Sequence, residues 1–258
     1  MTKAIFITVR TGSSRLAQKA LKTIMGLTTI EYVMQRALRS KRANFVVLCT
    51  TTLPEDDVLC QLAEKNGVRV FRGSVKDKLE RWNGACKANG VDFFVTADGD
   101  DLFCEPELMD QAFDQHDRTG ADFIESPEVI CGAFTYGISA AALQKVCEIK
   151  ATEETEMMWV YFKDTGLFRN ELLQKPDPVF CRDDIRMTLD YEDDFRFFDA
   201  VVKALKPQKP AFGLRDIVAY LDQHPEVIGL NRHLHEQWKN NQVAKTKLVL
   251  KENWNAKN

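Results

Sequence analysis

No two cysteines in this chain stand at C-x-x-C spacing. The seven present, at 49, 60, 86, 104, 131, 147 and 181, are scattered and odd in number. The four histidines do not accompany them at zinc-ligand intervals, so neither a structural zinc site nor a disulfide framework is expected. They read as mostly buried, reduced thiols of a cytoplasmic protein. No segment approaches the roughly 20 apolar residues of a membrane span. The first apolar run is too short for a signal sequence and has no cleavage site, so no membrane partner is expected. A net charge of -3 and a pI near 5.9 lack the basic excess of a duplex-binding protein, which excludes nucleic acid as the expected partner. Low-complexity blocks, internal repeats and a convincing linker are also missing. What remains is a chain of 258 residues, 45% of them hydrophobic, enough for one large α/β domain.

The apolar pattern alternates between strand and helix. Lys3–Val9 is a continuous apolar run, as in a strand buried on both faces. Thr28-Thr29-Ile30-Glu31 is a capping box before Ile30, Val33, Met34, Ala37 and Leu38 at helical spacing. Strand Phe45–Cys49 follows, then a helix opened by Pro54 with Glu55, Asp56 and Asp57 in its first turn. Strand Val68–Phe71, a helix over about 76–88 and strand Val91–Thr96 complete a βαβαβα rhythm, which predicts a mostly parallel sheet between two helix layers. Beyond residue 100 the spacing predicts a helix at Pro106–Asp117, strands at Ala121–Ser126 and Ala133–Ser139, and helices near 140–148 and 153–163. A loop over 169–182 leads to a strand at Ile185–Leu189, followed by helical segments at Tyr191–Leu205 and 213–223. A single domain over 1–235 is expected, with 236–258 as a surface helix or tail.

Ligands of such sheets bind beyond the carboxyl ends of the strands. The first strand ends in Arg10, Gly12, Ser13, Ser14, Arg15 and Lys19, small residues and cations suited to phosphate. The loop matches neither G-x-x-x-x-G-K-[ST] nor G-x-G-x-x-G. By composition alone a solvated turn remains open. The third strand ends in Arg72, Gly73, Ser74 and Asp77. The fourth ends in Asp98-Gly99-Asp100-Asp101, carboxylates that repel one another unless a hard divalent cation or hydrogen bonds compensate. Asp190, alone, reads as the N-cap of the helix after it.

Taken together these segments resemble a known family. "VRTGSSRLAQKAL" is similar to the R-x-G-S-x-R-L-P-G-K loop of sugar nucleotidyltransferases, above all the cytidylyltransferases that include spore-coat polysaccharide biosynthesis protein F. "TTLPEDDVLCQLAEKNGVRVFRGSVKDKLERW", "ADGDDLFCEPELMD", "IRMTLDYEDDF" and "LRDIVAYLDQHPEVIGLN" resemble further family segments in the same order, from residue 4 to about 231. CMP-Kdo and CMP-sialate synthetases are more distant relatives. The resemblance implies a Rossmann-like, three-layer nucleotidyltransferase fold related to glycosyltransferase-A folds, and a homodimer formed through an inserted arm, expected within 127–182. It implies CTP, or another NTP, and a sugar acceptor as partners, with Mg2+ as cofactor. Arg10, Gly12, Ser13, Ser14, Arg15 and Lys19 would hold the triphosphate, and Arg72, Ser74 and Asp77 would lie near base or ribose, with Asp98 lining the nucleotide site. Asp100 and Asp190 would bind the metal; Arg15, Lys19 and Asp100 would carry catalysis.

This chain also departs from the pattern. Ala17-Gln18 replaces Pro-Gly before the lysine, which predicts a different turn, and Asp101-Leu102 replaces Cys-Pro. On the acceptor side "CGAFTYGIS" and "EETEMMWVYF", the latter keeping Glu156, stand where relatives show Gly-Leu-Asp-Val-Glu and Arg-Glu-His-Val-Thr-Pro-Tyr. Two other readings fit these residues: a metal-dependent glycosyltransferase using Asp98-Gly99-Asp100 as D-x-D, and a nucleotide-binding subunit without turnover. The Arg15/Lys19 loop speaks against the first.

Overall fold

The computed structural model describes residues 1–12 and 15–254. In chain order its elements are β1 (Lys3–Thr8), the short hairpin β2 (Thr23–Ile24) and β3 (Leu27–Thr28), α1 (Thr29–Ala37), β4 (Phe45–Thr51), α2 (Asp57–Lys65), β5 (Arg69–Gly73), α3 (Lys78–Asn89) and β6 (Phe93–Asp98). There follow α4 (Pro106–Thr119), β7 (Phe123–Glu125), β8 (Tyr136–Ser139), α5 (Ala140–Ile149), α6 (Val160–Lys163), β9 (Asn170–Leu172), α7 (Glu192–Leu205), α8 (Leu214–Gln223), α9 (Pro225–Ile228) and α10 (His235–Lys245). The main sheet has the order β5-β4-β1-β6-β8-β7-β9. All its strands run parallel except β8, which is antiparallel to both β6 and β7.

Period-two alternation sends the strand side chains to two cores, as an α/β three-layer fold requires. Ile5, Ile7, Val46, Leu48, Phe93 and Val95 face the helices α1, α4, α7 and α8. Ala4, Phe6, Val47, Cys49, Phe94 and Ile138 face α3, α5 and α6. Phe6 and Phe94 stack at 4.4 Å between ring centroids, and the Trp82 ring meets Phe94 edge-on at 5.7 Å. The Trp82 indole N–H then donates to Thr8 Oγ1 at 2.7 Å, which satisfies its buried polar atom. Thr28 and Glu31 form the expected capping box at the start of α1.

Three expectations are corrected. Ile185–Leu189 is not a strand: only Arg186 forms a bridge, with Cys131. Its backbone N–H groups are shared between two different loops, Met187 donating to Cys131 O at 2.8 Å and Leu189 to Asp100 O at 2.9 Å. A ladder needs one continuous partner, and neither loop is extended. The helix foreseen over 153–163 shrinks to α6, because Thr155 is drawn away to Asp77 and Leu79 at the start of α3. The loop at 169–182 contains an edge strand, β9. The segment 127–182 therefore gives β8 and β9 to the sheet, and α5 packs on α3, so it belongs to the domain body.

Two glycines let the crevice close up. A Cβ on Gly99 would meet Val9 Cβ at 2.6 Å, and the bare backbone instead lets Gly99 N donate to Thr8 O at 2.8 Å. That contact draws the β6 carboxylates beside the β1 loop. Gly132, at φ +88°, would place a Cβ 2.0 Å from Met187 O. We expect Gly132→Ala to destabilise the protein by about 3 kcal/mol or more, through left-handed strain and forced separation of 131–133 from 186–189. Denaturant titration checks this; a loss under about 1 kcal/mol contradicts it.

Candidate active site

The structure brings the ends of β1, β6 and the 186–190 segment to one point. Lys19, on a short helical turn after the β1 loop, donates from Nζ to Asp100 Oδ2 at 2.6 Å and to Asp190 Oδ1 at 2.9 Å. Arg15 Nη2 donates to the same Asp190 oxygen at 2.6 Å. Residues 171 and 175 positions apart in sequence meet here only through the fold. Asp98, Asp100 and Asp101 each place a carboxylate oxygen within 4.8 Å of the others. Lys78 Nζ reaches Asp98 Oδ1 at 2.9 Å while lying over the Trp82 ring.

These contacts sort the charges. Burial alone would lower the Lys19 pKa, but Asp100 and Asp190 raise it above the ordinary value, so the ammonium stays charged. Burial would also raise Asp190, yet Lys19 and Arg15, with Arg186 behind, hold it below the usual carboxylate range. Asp100 goes the other way. Its burial outweighs the Lys19 charge, and Asp190 and Asp98 add like-charge repulsion. Asp101 is raised most clearly, by burial and then by Asp100 and Asp98. Thr135 Oγ1 donates to Asp101 Oδ2 at 3.4 Å.

Arg10 is exposed and has no hydrogen bond or ion pair among the described residues. Gly12 is also exposed, with open space where a Cβ would stand. Ser13 and Ser14 lie outside the described residues. The remaining candidates lie at and just beyond the end of the edge strand β5. Arg72 donates to Thr51 O at 2.9 Å and Leu53 O at 2.7 Å and pairs with Asp57. Ser74 Oγ accepts from Asp77 N at 3.1 Å. Asp77 caps α3, accepting from Glu80 N at 3.1 Å and Thr155 Oγ1 at 2.9 Å, and pairs with Lys150. These three are committed to neighbouring protein groups and do not join the carboxylates. Glu156 is exposed.

The residue patterns left Lys78 and Arg186, behind Asp190, unremarked, and read Asp56 only as a first-turn carboxylate of the helix after Pro54. Asp56 is 1% exposed and accepts from Thr11 N at 2.8 Å, Thr11 Oγ1 at 2.7 Å and Thr50 Oγ1 at 3.0 Å. It thereby ties the β1 loop to the end of β4. Gln18, where the resemblance has glycine, adopts the left-handed backbone, φ 48° and ψ 33°, a conformation that glycine takes without strain.

The strand ends of this α/β sheet thus gather two cations around opposed aspartates, an arrangement suited to phosphate and a divalent ion. The family of the chain comes from comparison with known proteins. The sequence model of the cytidylyltransferase family matches residues 4–206, and the chain belongs to that family, a family of nucleotidyltransferase enzymes. An uncharacterised protein of Methanocaldococcus jannaschii is 28% identical over 90% of this chain and 95% of its own. The spore coat polysaccharide biosynthesis protein SpsF of Bacillus subtilis is 26% identical over 85% and 94%. A 3-deoxy-manno-octulosonate cytidylyltransferase of Bdellovibrio bacteriovorus is 26% identical over 60% of each chain. Among solved structures, a cytidylyltransferase from Leptospira borgpetersenii superposes with a TM-score of 0.80 at 24% identity, over 88% of this chain and 97% of that one. No helix among the described residues is long and apolar enough to cross a membrane.

Two outcomes follow from this geometry. Gln18→Gly should raise stability by roughly 0.5–1 kcal/mol, the relieved left-handed strain less the extra freedom of the unfolded chain; an unchanged or lower denaturation midpoint contradicts it. Asp101→Asn should stabilise the protein at pH 7 and not at pH 4. The folded state holds the Asp101 proton above the unfolded value of about 3.9. Below that value both states are protonated, and above it release on unfolding favours the unfolded chain. Urea titrations of both proteins at the two pH values measure the difference, and equal gains at both would overturn the assignment.

Proposed function

We propose that the protein transfers a cytidylyl group from CTP to a hydroxyl of a sugar or sugar acid, as a homodimer, with pyrophosphate leaving. The observation that carries this reading is the single Lys19 ammonium bridging Asp100 and Asp190. Two carboxylates from different segments converge on one cation position, with Arg15 beside it. All the donors are hard oxygens, as a divalent ion of the Mg2+ class requires, so Asp100 and Asp190 fit as its ligands. When bound, Mg2+ would polarise an α-phosphate oxygen and the incoming hydroxyl.

The chain's own groups do the rest. The triphosphate gives Lys19 and Arg15 stronger anionic partners than the aspartates they now hold, and frees both carboxylates for the metal. In the reaction the acceptor oxygen bonds to the α-phosphorus, the bond to the β-phosphate bridging oxygen breaks, and the hydroxyl proton passes to solvent. Charge grows on the departing pyrophosphate, where Lys19, Arg15 and the exposed Arg10 neutralise it. Ser13 and Ser14 belong to the same loop, and Gly12 leaves room for phosphate beside it. Asp98, held by Lys78, lines the nucleotide site. Arg72, Ser74 and Asp77 shape the base-side wall through the protein contacts described above. The 3-deoxy-manno-octulosonate cytidylyltransferases and SpsF among the relatives support a sugar or sugar acid as acceptor. For the homodimer, the edge strand β9 offers a face, with Leu172 and nearby Leu167 about half exposed.

The test is pyrophosphate release by purified protein with Mg2+, each NTP in turn, and a panel of eight- and nine-carbon sugar acids and amino sugars. Release is expected with CTP and one class of acceptor. Lys19→Ala should lower kcat/KM by about 100-fold or more, and Asp100→Asn should do the same while leaving metal-free CTP binding intact. Nucleotide binding without turnover against the whole panel would turn the reading toward a non-catalytic subunit.

A further inference from the structure

Asp190 does not face the crevice with both oxygens. Oδ1 takes Arg15 and Lys19, whereas Oδ2 faces inward to Arg186 Nη2 at 3.4 Å. Arg186 is almost wholly buried, its side chain 1% exposed. Its Nε donates to Asp194 Oδ1 at 3.0 Å, and Asp194 in turn accepts from the backbone N–H groups of Asp190 and Tyr191, both at 2.9 Å. Asn231 joins the frame, donating to Asp194 Oδ1 at 2.9 Å and to Arg186 O at 3.1 Å. One guanidinium nitrogen, Nη1, is buried with no hydrogen-bond partner among the described residues. A buried cation in that position is costly unless something else compensates it.

The compensation comes from the C-terminal helix. Trp238, on α10, lies over the guanidinium at 5.1 Å from its carbon to the ring centroid, within the range of a cation–π contact. This helix lies wholly beyond residues 4–206 matched by the family. Past the helix the chain is tied to the domain, Ala151 N donating to Val249 O and Lys251 N to Ile149 O, both at 2.9 Å. Asn241 also reaches the hydroxyl of Tyr191, next to Asp190, at 3.4 Å.

We propose that Trp238 is a positioning residue for the metal-binding carboxylate Asp190. Its ring covers Arg186, keeps water from the guanidinium, and so keeps Arg186 bonded to Asp190 Oδ2 and Asp194. Asp190 Oδ1 is thereby fixed toward the crevice. The C-terminal segment is thus part of the active site's support, acting through Arg186 on a ligand it does not touch. The inference rests on the reading of Asp190 as a metal ligand.

The experiment measures CTP affinity by calorimetry with and without Mn2+, on the full chain. The ratio of the two affinities reports the metal's contribution and needs no turnover. Asp190→Asn should collapse the ratio. Trp238→Ala should lower it roughly five- to tenfold, somewhat below the 10- to 100-fold typical of lost groups one step nearer the ligand. Trp238→Phe, which keeps a ring face, should stay within about twofold of the parent, and metal-free CTP binding should be unchanged in both. Should the alanine variant not fold, Trp238→Leu, apolar but without a ring face, takes its place with the same expected loss. A ratio unchanged by removal of the ring while Asp190→Asn loses it overturns the proposal, even if the melting temperature falls. A ratio unchanged in Asp190→Asn overturns the metal reading of Asp190, and this inference with it.

Discussion

Like charges held close together set the terms for this molecule. Asp98, Asp100 and Asp101 leave one strand end within four positions, and Asp190 approaches them from a distant segment. In a partly buried crevice such a cluster is stable only when cations are interleaved with it. Lys19 stands between Asp100 and Asp190, Arg15 and Arg186 take either side of Asp190, and Lys78 takes Asp98. The close approach of β1 and β6 through Gly99, and the passage of 186–189 against Gly132, exist to make that interleaving possible.

A lysine that bridges two aspartates holds their spacing, and in the proposed reading it would become a phosphate ligand once a more highly charged partner enters. Asp190 is held ionised while Asp100 is pushed the other way, so neighbouring carboxyl groups are electrostatically distinct before any ligand binds. Asp56 serves the loop rather than the chemistry, since its bonds to Thr11 and Thr50 fix where the β1 loop leaves the sheet.

The positions where the chain departs from the resembled pattern are held in different ways. Gln18 adopts a left-handed turn at a cost in strain. Asp101 is a buried carboxyl whose pKa is pushed up by burial and by Asp100 and Asp98, and it accepts a hydrogen bond from Thr135. In the segments expected on the acceptor side, Tyr136 lies in β8 within the sheet, and Thr155 caps α3.

Periodicity and punctuation in the sequence determined the alternating α/β order, the buried strand runs, the Thr28 capping box and the cations and aspartates at strand ends, because these depend on contacts among residues close along the chain. Quoted motifs also pointed to Asp190, whose local pattern alone reads as a helix cap. Tertiary structure decided the rest. That Arg72 and Asp77 bond to protein neighbours, that Ile185–Leu189 is divided between two loops, and that Trp238 stands over Arg186, 52 positions away, follow from which segments the sheet order brings together. No local signal encodes that, because the energy of each such contact depends on a partner supplied by a remote part of the chain.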